Sequence, residues 1–79
     1  MIVKPKAAEI ALSTANTVDD ATCVRIYNDS GGDVLITNTS TSGTFTLPNG
    51  AITFVQKLPS DTLTAGSAVK AVSVAFNIS

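Results

Sequence analysis

Hydrophobic and polar residues alternate with a period of two over much of this chain, as they do in strands with one buried face. Between residues 22 and 28, Val24 and Ile26 share one face, while a cysteine, an arginine and a tyrosine share the other. This pattern predicts a strand. Residues 33–38 predict a second strand, and the Asn-Asp-Ser-Gly-Gly run between the two predicts that they form a hairpin.

The strongest turn signal lies in the middle of the chain. Residues 44–47 alternate cleanly and predict a strand with Phe45 and Leu47 facing inward. The Pro-Asn-Gly run at 48–50 follows directly, and it favours a turn because proline fixes φ and Asn-Gly tolerates positive φ. We therefore expect residues 51–58 to fold back against 44–47.

Residues 51–58 predict a strand with Ile52 and Phe54 on one face and Val55 on the other. Residues 59–62 read as a turn or a single helical turn, whose serine or aspartate side chain can cap free backbone amides.

The longest predicted strand covers residues 69–78. Its even positions carry the large side chains, namely Lys70, Val72, Val74, Phe76 and Ile78. The opposite face carries Ala71, Ser73 and Ala75. Because these three side chains are small, that face suits close packing against a second sheet.

The first twenty residues allow two interpretations. Residues 7–12 could begin a helix, but the Ser-Thr-Asn-Thr composition that follows favours an extended conformation. We divide the chain into residues 1–20, an extended N-terminal arm or a first strand, and residues 21–79, a β-sandwich or barrel domain. In an arm, the apolar residues Ile2, Val3, Ile10 and Leu12 would be buried between chains. The predicted fold class is all-β, a small single-domain antiparallel sandwich or barrel.

Length and composition then restrict the chemistry. The chain has 79 residues, no histidine and one cysteine, Cys23. It therefore lacks an intrachain disulfide, and it cannot build a Cys-His or Ser-His site or a common structural zinc site. We predict that the protein is not an enzyme and that it has no catalytic, cofactor-binding or metal-binding residues.

Charge restricts the partners. Five Lys and Arg residues face six Asp and Glu residues, and only 14% of the chain is charged. The cations are scattered, so direct binding to nucleic acid is not expected. No run approaches the roughly 20 apolar residues of a membrane span, and the amino end does not resemble a signal peptide, so we expect a soluble product made in the cytoplasm.

Several residues could have a chemical role, and for each we compare that role with an ordinary structural one. Asp29 and Asp33 flank a glycine-rich run, but calcium needs 6–8 oxygen ligands and the spacing does not match an EF-hand loop, so an ordinary turn is favoured. The adjacent Asp19 and Asp20 could act as a paired acid and base, but adjacent residues on a strand point to opposite faces, so a solvated connector is favoured. Cys23 has no cation in its neighbourhood to activate it, which favours a half-buried structural thiol.

Arg25 and Tyr27 share a strand face and are read either as interface residues or as a simple surface pair. Asn28, Asn38 and Asn77 each begin an Asn-x-Ser sequon, which matters only on a secretory route.

Residues 22–76 also carry a resemblance. The most specific part is Lys-Leu-Pro-Ser-Asp-Thr at 57–62 followed by Val-Lys-Ala-Val at 69–72, with support from Val-Arg-Ile-Tyr-Asn at 24–28. Together these runs resemble very short virion proteins of tailed phages, a group common among marine and cyanobacterial phages.

The resemblance implies a non-enzymatic virion structural protein, with capsid decoration or cementing of the phage head as the first choice. The implied partners are the major capsid protein or other virion proteins, together with further copies of the chain in a homo-oligomer. The implied location is the capsid surface of the virion, after synthesis in the host cytoplasm. Two alternatives stay open: a neck or tail subunit of the phage, and a carbohydrate-binding or adhesion module. A chain without tryptophan is poorly suited to the last of these.

Overall fold

The computed structural model describes residues 3–76, which form eight strands and no helix. In chain order the strands are β1 Val3–Pro5, β2 Ile10–Leu12, β3 Cys23–Tyr27, β4 Val34–Asn38, β5 Gly43–Leu47, β6 Ile52–Gln56, β7 Leu63–Ala65 and β8 Val69–Phe76. Every pairing between them is antiparallel. The predicted all-β class is confirmed.

The strands form two sheets that pack face to face. In the larger sheet β8 lies between β3 on one side and β1 and β2 on the other, and β6 lies outside β3. The smaller sheet has the order β5-β4-β7. Strand β8 is the longest of the described strands, as predicted, and residues 77 and 78 of the predicted strand lie outside the described residues.

Residues 3–12 follow one edge of β8 within their own chain. Leu12 lies opposite Val69, and Ile10 lies opposite Ala71. Between β1 and β2, the Lys6 amide donates to the Ser73 carbonyl at 2.8 Å. Leu12 is fully buried in the core of its own chain, which is the position expected of a first strand. Residue 2 lies outside the described residues.

The core lies between the inner faces of the two sheets. Val24 and Ile26 are fully buried on β3, which confirms the face predicted from their alternation. The other large apolar side chains that are fully buried, among the residues that the structure describes, are Leu12, Ile36, Leu63 and Val69. Each such side chain contributes roughly 1.5–3 kcal/mol of hydrophobic stabilisation. The small residues Ala71 and Ser73 are buried opposite them on β8, so the sheets can approach closely.

Both predicted hairpins are wrong. Strand β3 pairs with β6 and β8, whereas β4 pairs with β5 and β7 in the other sheet. Strand β6 likewise pairs with β3 and not with β5. The segments 28–33 and 48–51 do reverse the chain, but each of them carries it across from one sheet to the other. A turn-forming sequence determines that the chain reverses and leaves open whether the next strand joins the same sheet.

The side chain of Asn28 joins these two crossing segments. It is fully buried, and its Nδ2 donates to the carbonyls of Gly32 and Leu47 at 2.8 Å each. Its Oδ1 accepts from the Ser30 amide at 3.0 Å and from the Ser30 Oγ at 2.7 Å. Gly32 belongs to the first crossing segment and Leu47 precedes the second. The side-chain amide of Asn28 is therefore hydrogen-bonded to both crossing segments or their immediate neighbours.

The backbone of Asn28 adds two further bonds to the second crossing segment. Its amide donates to the Ala51 carbonyl at 3.0 Å, and its carbonyl accepts from the Gly50 amide at 2.7 Å. Ala51 in turn donates to the Pro48 carbonyl at 3.0 Å, and Gly50 has a φ of 80°. These values describe a type II turn, so the predicted turn and its positive φ at Gly50 are confirmed.

Two details differ from the predicted strands. Phe45 faces inward opposite the buried Ile36, but it remains 38% exposed because β5 is an edge strand that the larger sheet covers incompletely. Strand β7 was not predicted, since three residues are too few to show an alternation.

The turn gives a first prediction, the substitution Gly50→Val. No atom lies within 4 Å of the added Cβ, so the cost arises from the positive φ and not from a clash. We expect a loss of about 1 kcal/mol or more in the free energy of unfolding, measured by urea denaturation. Gly32→Val is the matched control, because Gly32 has equal space and no positive φ. Equal losses in the two variants would contradict this account of Gly50.

The buried amide gives a second prediction, the substitution Asn28→Ala. It removes the buried bond to the Leu47 carbonyl, the part-buried bond to the Gly32 carbonyl and the acceptor of the Ser30 amide, so we expect a loss of about 2–3 kcal/mol in the free energy of unfolding. Ser30→Ala removes a hydroxyl that lies 2.7 Å from the Asn28 Oδ1 and 3.1 Å from the Gly32 carbonyl, and because Ser30 is exposed the change should cost less than about 1 kcal/mol. An Asn28→Ala variant as stable as Ser30→Ala would show that the amide does not hold the crossings together.

Candidate interaction surface

The outer face of the larger sheet, turned away from the smaller sheet, carries a row of large side chains. Residues opposite each other in a sheet share a face, and Arg25 lies opposite Phe54 on β6 and Val72 on β8. Val74 belongs to the same face two residues along β8. Although this face points outward, Val72 is only 6% exposed and Val74 only 3% exposed. Neighbouring side chains must therefore cover them.

These neighbours form a groove, here called the apolar groove. Its volume is about 420 Å³, with Val72 and Val74 in its lining beside Pro5 and Phe54. Arg25 and Glu9 also line it, and the Arg25 Nη1 lies 3.4 Å from the Glu9 Oε2. Both charged side chains are partly exposed, so this ion pair contributes at most about 1 kcal/mol to stability. Its main effect is to orient two charged groups beside an apolar surface.

A second groove lies beside the first and shares Phe54 with it. It has a volume of about 450 Å³ and is also lined by Thr22, Cys23 and Gln56. Cys23 is half-buried, as predicted. Burial raises the pKa of its thiol, which lowers the thiolate fraction and makes it a poor nucleophile.

The far end of the outer face is polar on β8 and apolar on β6. Tyr27 lies between Lys70 and Ile52 in the sheet. The Lys70 Nζ lies 3.3 Å from the Asp29 Oδ2, and Ile52 is 51% exposed. Arg25 and Tyr27 therefore share a face, as predicted. Their neighbours across the sheet come from other strands, and the sequence gives no sign of the Arg25–Glu9 pair.

The acidic residues singled out in the sequence do not converge. Asp29 pairs with Lys70, while Asp33 accepts from the Asn49 amide at 3.4 Å. Between residues 3 and 76, no group of three or more His, Cys, Asp or Glu residues could hold a metal ion. Asp19 and Asp20 are both exposed in a turn, where their φ angles are 59° and 52°.

The sequons differ in their surroundings. Asn28 is fully buried and its amide nitrogen donates two hydrogen bonds, so the folded chain does not present it for modification. Asn38 is half-buried, and its Nδ2 donates to the Asp61 Oδ2 at 3.2 Å. Asn77 lies outside the described residues.

A buried lysine is the feature that sequence reasoning missed. Lys57 is 6% exposed, and its Nζ donates to the carbonyls of Leu58 at 3.2 Å and Pro59 at 3.5 Å. Asp61 is also buried and accepts from the Leu58 amide at 3.2 Å, so its predicted capping role is confirmed. Burial lowers the pKa of Lys57, and the charges of Asp61 and Asp20 oppose this effect.

The fold and the outer face define a small antiparallel β sandwich with an apolar groove on its larger sheet. Known protein families, curated proteins and solved structures give no match to this chain. None of the elements between residues 3 and 76 is a helix long and apolar enough to cross a membrane.

The buried lysine predicts a pH dependence of stability. The pKa of Lys57 is lower in the folded chain than its ordinary value of 10.5. Between these two pKa values the unfolded chain binds a proton that the folded chain does not, so stability rises with pH across this window. Below this pH window Lys57 is charged in both the folded and the unfolded chain, so the free energy of unfolding is reduced by the full cost of burying that charge.

The measurement is the free energy of unfolding in urea between neutral pH and about 10.5, in a Cys23→Ser background. That background is needed because the raised pKa of Cys23 has the opposite effect, a loss of stability as the pH rises from its ordinary thiol value. We expect the Lys57→Met variant to lack the rise that its parent shows. Parallel curves for the two proteins would contradict the assignment to Lys57.

Proposed function

We propose that this protein is a non-enzymatic structural subunit that works by binding other protein, and that it decorates and stabilises the head of a tailed phage. The observation that supports binding to protein is the outer face of the larger sheet, where Phe54, Val72 and Val74 line a groove beside the Arg25–Glu9 pair. The phage context rests on the resemblance of residues 22–76 to short virion proteins.

The chemistry of this face suits a protein partner. Protein interfaces are depleted in charge at their centres and enriched in aromatic residues and arginine, with polar groups at the rim. Here Phe54 and Ile52 lie near the free edge of the sheet, and Arg25 and Tyr27 lie beside them on β3. The partly exposed ion pair at Arg25 can orient a partner at little desolvation cost, since both of its groups keep contact with water.

A decoration protein needs no chemistry beyond this. It binds the assembled shell and not the free capsid subunits, so binding shifts the equilibrium toward the shell. A stable contact of this kind buries roughly 1,200–2,000 Å² in total. Because shells are symmetric, the same contact repeats at every equivalent position, and a modest gain at each site adds up over the particle.

The proposal predicts the number of copies in purified particles of the phage that encodes the chain. Decoration of a symmetric head requires on the order of hundreds of copies, measured by quantitative mass spectrometry against the major capsid protein. A dozen or so copies would contradict decoration and indicate a neck ring, and absence from the particle would contradict any virion role.

A rebinding assay tests the face itself. Heads that lack the protein are mixed with the purified chain, and bound protein is measured after sedimentation. Ile52→Lys places a charge on the outer face and should weaken binding about tenfold or more, because that charge would lose water in the interface. Leu58→Lys is the matched control: Leu58 is 67% exposed on a loop outside the sheets. Equal binding by both variants would contradict the assignment to this face.

A further inference from the structure

The edges of the sandwich are protected unequally. The edge formed by β1, β2 and the residues between them carries Lys4, Pro5, Lys6 and Glu9. Charges and proline on an edge strand oppose pairing with another chain. The edge at β7 is covered by the segment that follows β2. There Asn16 and Leu63 exchange backbone bonds at 3.1 Å and 2.9 Å, and Ala65 donates to the Ser13 carbonyl at 3.5 Å.

Strand β5 lacks such protection. Its sequence, Gly-Thr-Phe-Thr-Leu, contains no charge and no proline. Among the described strands, only β4 pairs with it. Charged residues that oppose pairing are typical of natural edge strands, so a neutral edge strand with two threonines and one phenylalanine is suited to pairing with another strand.

The direction of the backbone groups in β4 follows from two hydrogen bonds. The Thr39 amide donates to the Thr62 carbonyl at 2.9 Å, and the Gly66 amide donates to the Leu35 carbonyl at 3.1 Å. Both bonds continue the β4–β7 ladder, so the odd-numbered residues of β4 direct their backbone groups toward β7. Because these directions alternate along a strand, the even-numbered residues direct theirs toward β5.

The same alternation determines the free edge of β5. Ile36 lies opposite Phe45, and residues 34 and 38 lie opposite residues 47 and 43. The odd-numbered residues of β5 therefore bond to β4. Thr44 and Thr46 direct their backbone amides and carbonyls away from β4, toward the open side of the smaller sheet, and both residues are exposed.

The sequence at this edge is symmetric about Phe45. Thr-Phe-Thr reads the same in both directions, so antiparallel pairing of two β5 strands about Phe45 places Thr44 opposite Thr46 of the partner subunit. It also places Phe45 opposite Phe45 of the partner subunit. Threonine pairs and aromatic pairs are favourable across strands, and no like charges meet. Phe45 is 38% exposed on the inner face and would gain cover from this neighbour.

We propose that β5 is the contact of a two-fold dimer, in which a second copy of this chain adds its own β5 and joins two three-stranded sheets into one of six strands. The outward backbone groups of Thr44 and Thr46 then form four hydrogen bonds across the two-fold axis. This contact is independent of the proposed function, since it involves the smaller sheet and not the apolar groove.

A charge-reversal series tests both the contact and its register. Thr44→Lys with Thr46→Lys places lysine opposite lysine twice, and it should weaken dimerisation about tenfold or more. Thr44→Lys with Thr46→Glu places lysine opposite glutamate twice, so dimerisation should return to the wild-type level. Thr14→Lys with Ser67→Lys is the matched control, because it adds the same two charges at exposed residues outside β5.

The measurement is sedimentation equilibrium of the full chain over a range of concentrations, with urea denaturation to confirm that each variant folds. For the wild type we expect the average mass to rise with protein concentration from 8.1 kDa toward twice that value. A wild type that stays monomeric, or a double-lysine variant that dimerises as well as the control, would overturn the proposal.

Hydrogen exchange locates the contact in the wild-type dimer. The amides of Thr44 and Thr46 should gain protection as the concentration rises, because they donate across the axis. Protection that appears at Ile52 and Gln56 on β6 and leaves β5 unchanged would overturn the proposal, since it would place the contact on the other sheet.

Discussion

The fold depends on the satisfied amide of Asn28, which lies where two of the chain's crossings between the sheets meet, the one from β3 to β4 and the one from β5 to β6. A sandwich whose chain changes sheet twice at one end must turn its backbone where the regular hydrogen-bond ladders stop, and carbonyls buried there need donors from elsewhere. Asn28 offers two donors and an acceptor in one compact group, and all of them are used. Aspartate lacks the donors and leucine lacks both kinds of group, so neither can replace it.

The close approach of the two sheets determines what the protein presents outside. Strand β8 lies next to β3 in the larger sheet and turns Ala71 and Ser73 inward. Its larger valines, Val72 and Val74, therefore lie on the outer face, where Phe54 and Pro5 join them around a groove. The apolar groove is thus a consequence of the packing requirement on the opposite side of the same strand. One alternation of small and large residues determines both the core and the candidate interaction surface.

The sequence predicted five of the eight described strands, β3, β4, β5, β6 and β8, but not which strands pair with which. A period of two shows that Val24 and Ile26 share a face, whichever strand lies beside them. It also predicted the turn at Gly50, because positive φ is a local property. The two hairpins were wrong because sheet membership depends on distant contacts, such as the bond from Asn28 to Leu47. The burial of Lys57 could not be predicted either, since two carbonyls of its own loop bind its ammonium group only after that loop has closed.

The two sheets also differ in where their charged residues lie. The smaller sheet, Val34–Asn38 with Gly43–Leu47 and Leu63–Ala65, contains no charged residue, and neither does β6. Charged groups lie instead on the first edge, in the turns, on the outer face of β3 and β8, and in the closed loop at Lys57. Threonine supplies much of the polarity of the neutral strands, and a hydroxyl loses water at a much lower cost than an ion does. The neutral strands therefore form the part of this surface that another protein can cover at the least electrostatic cost.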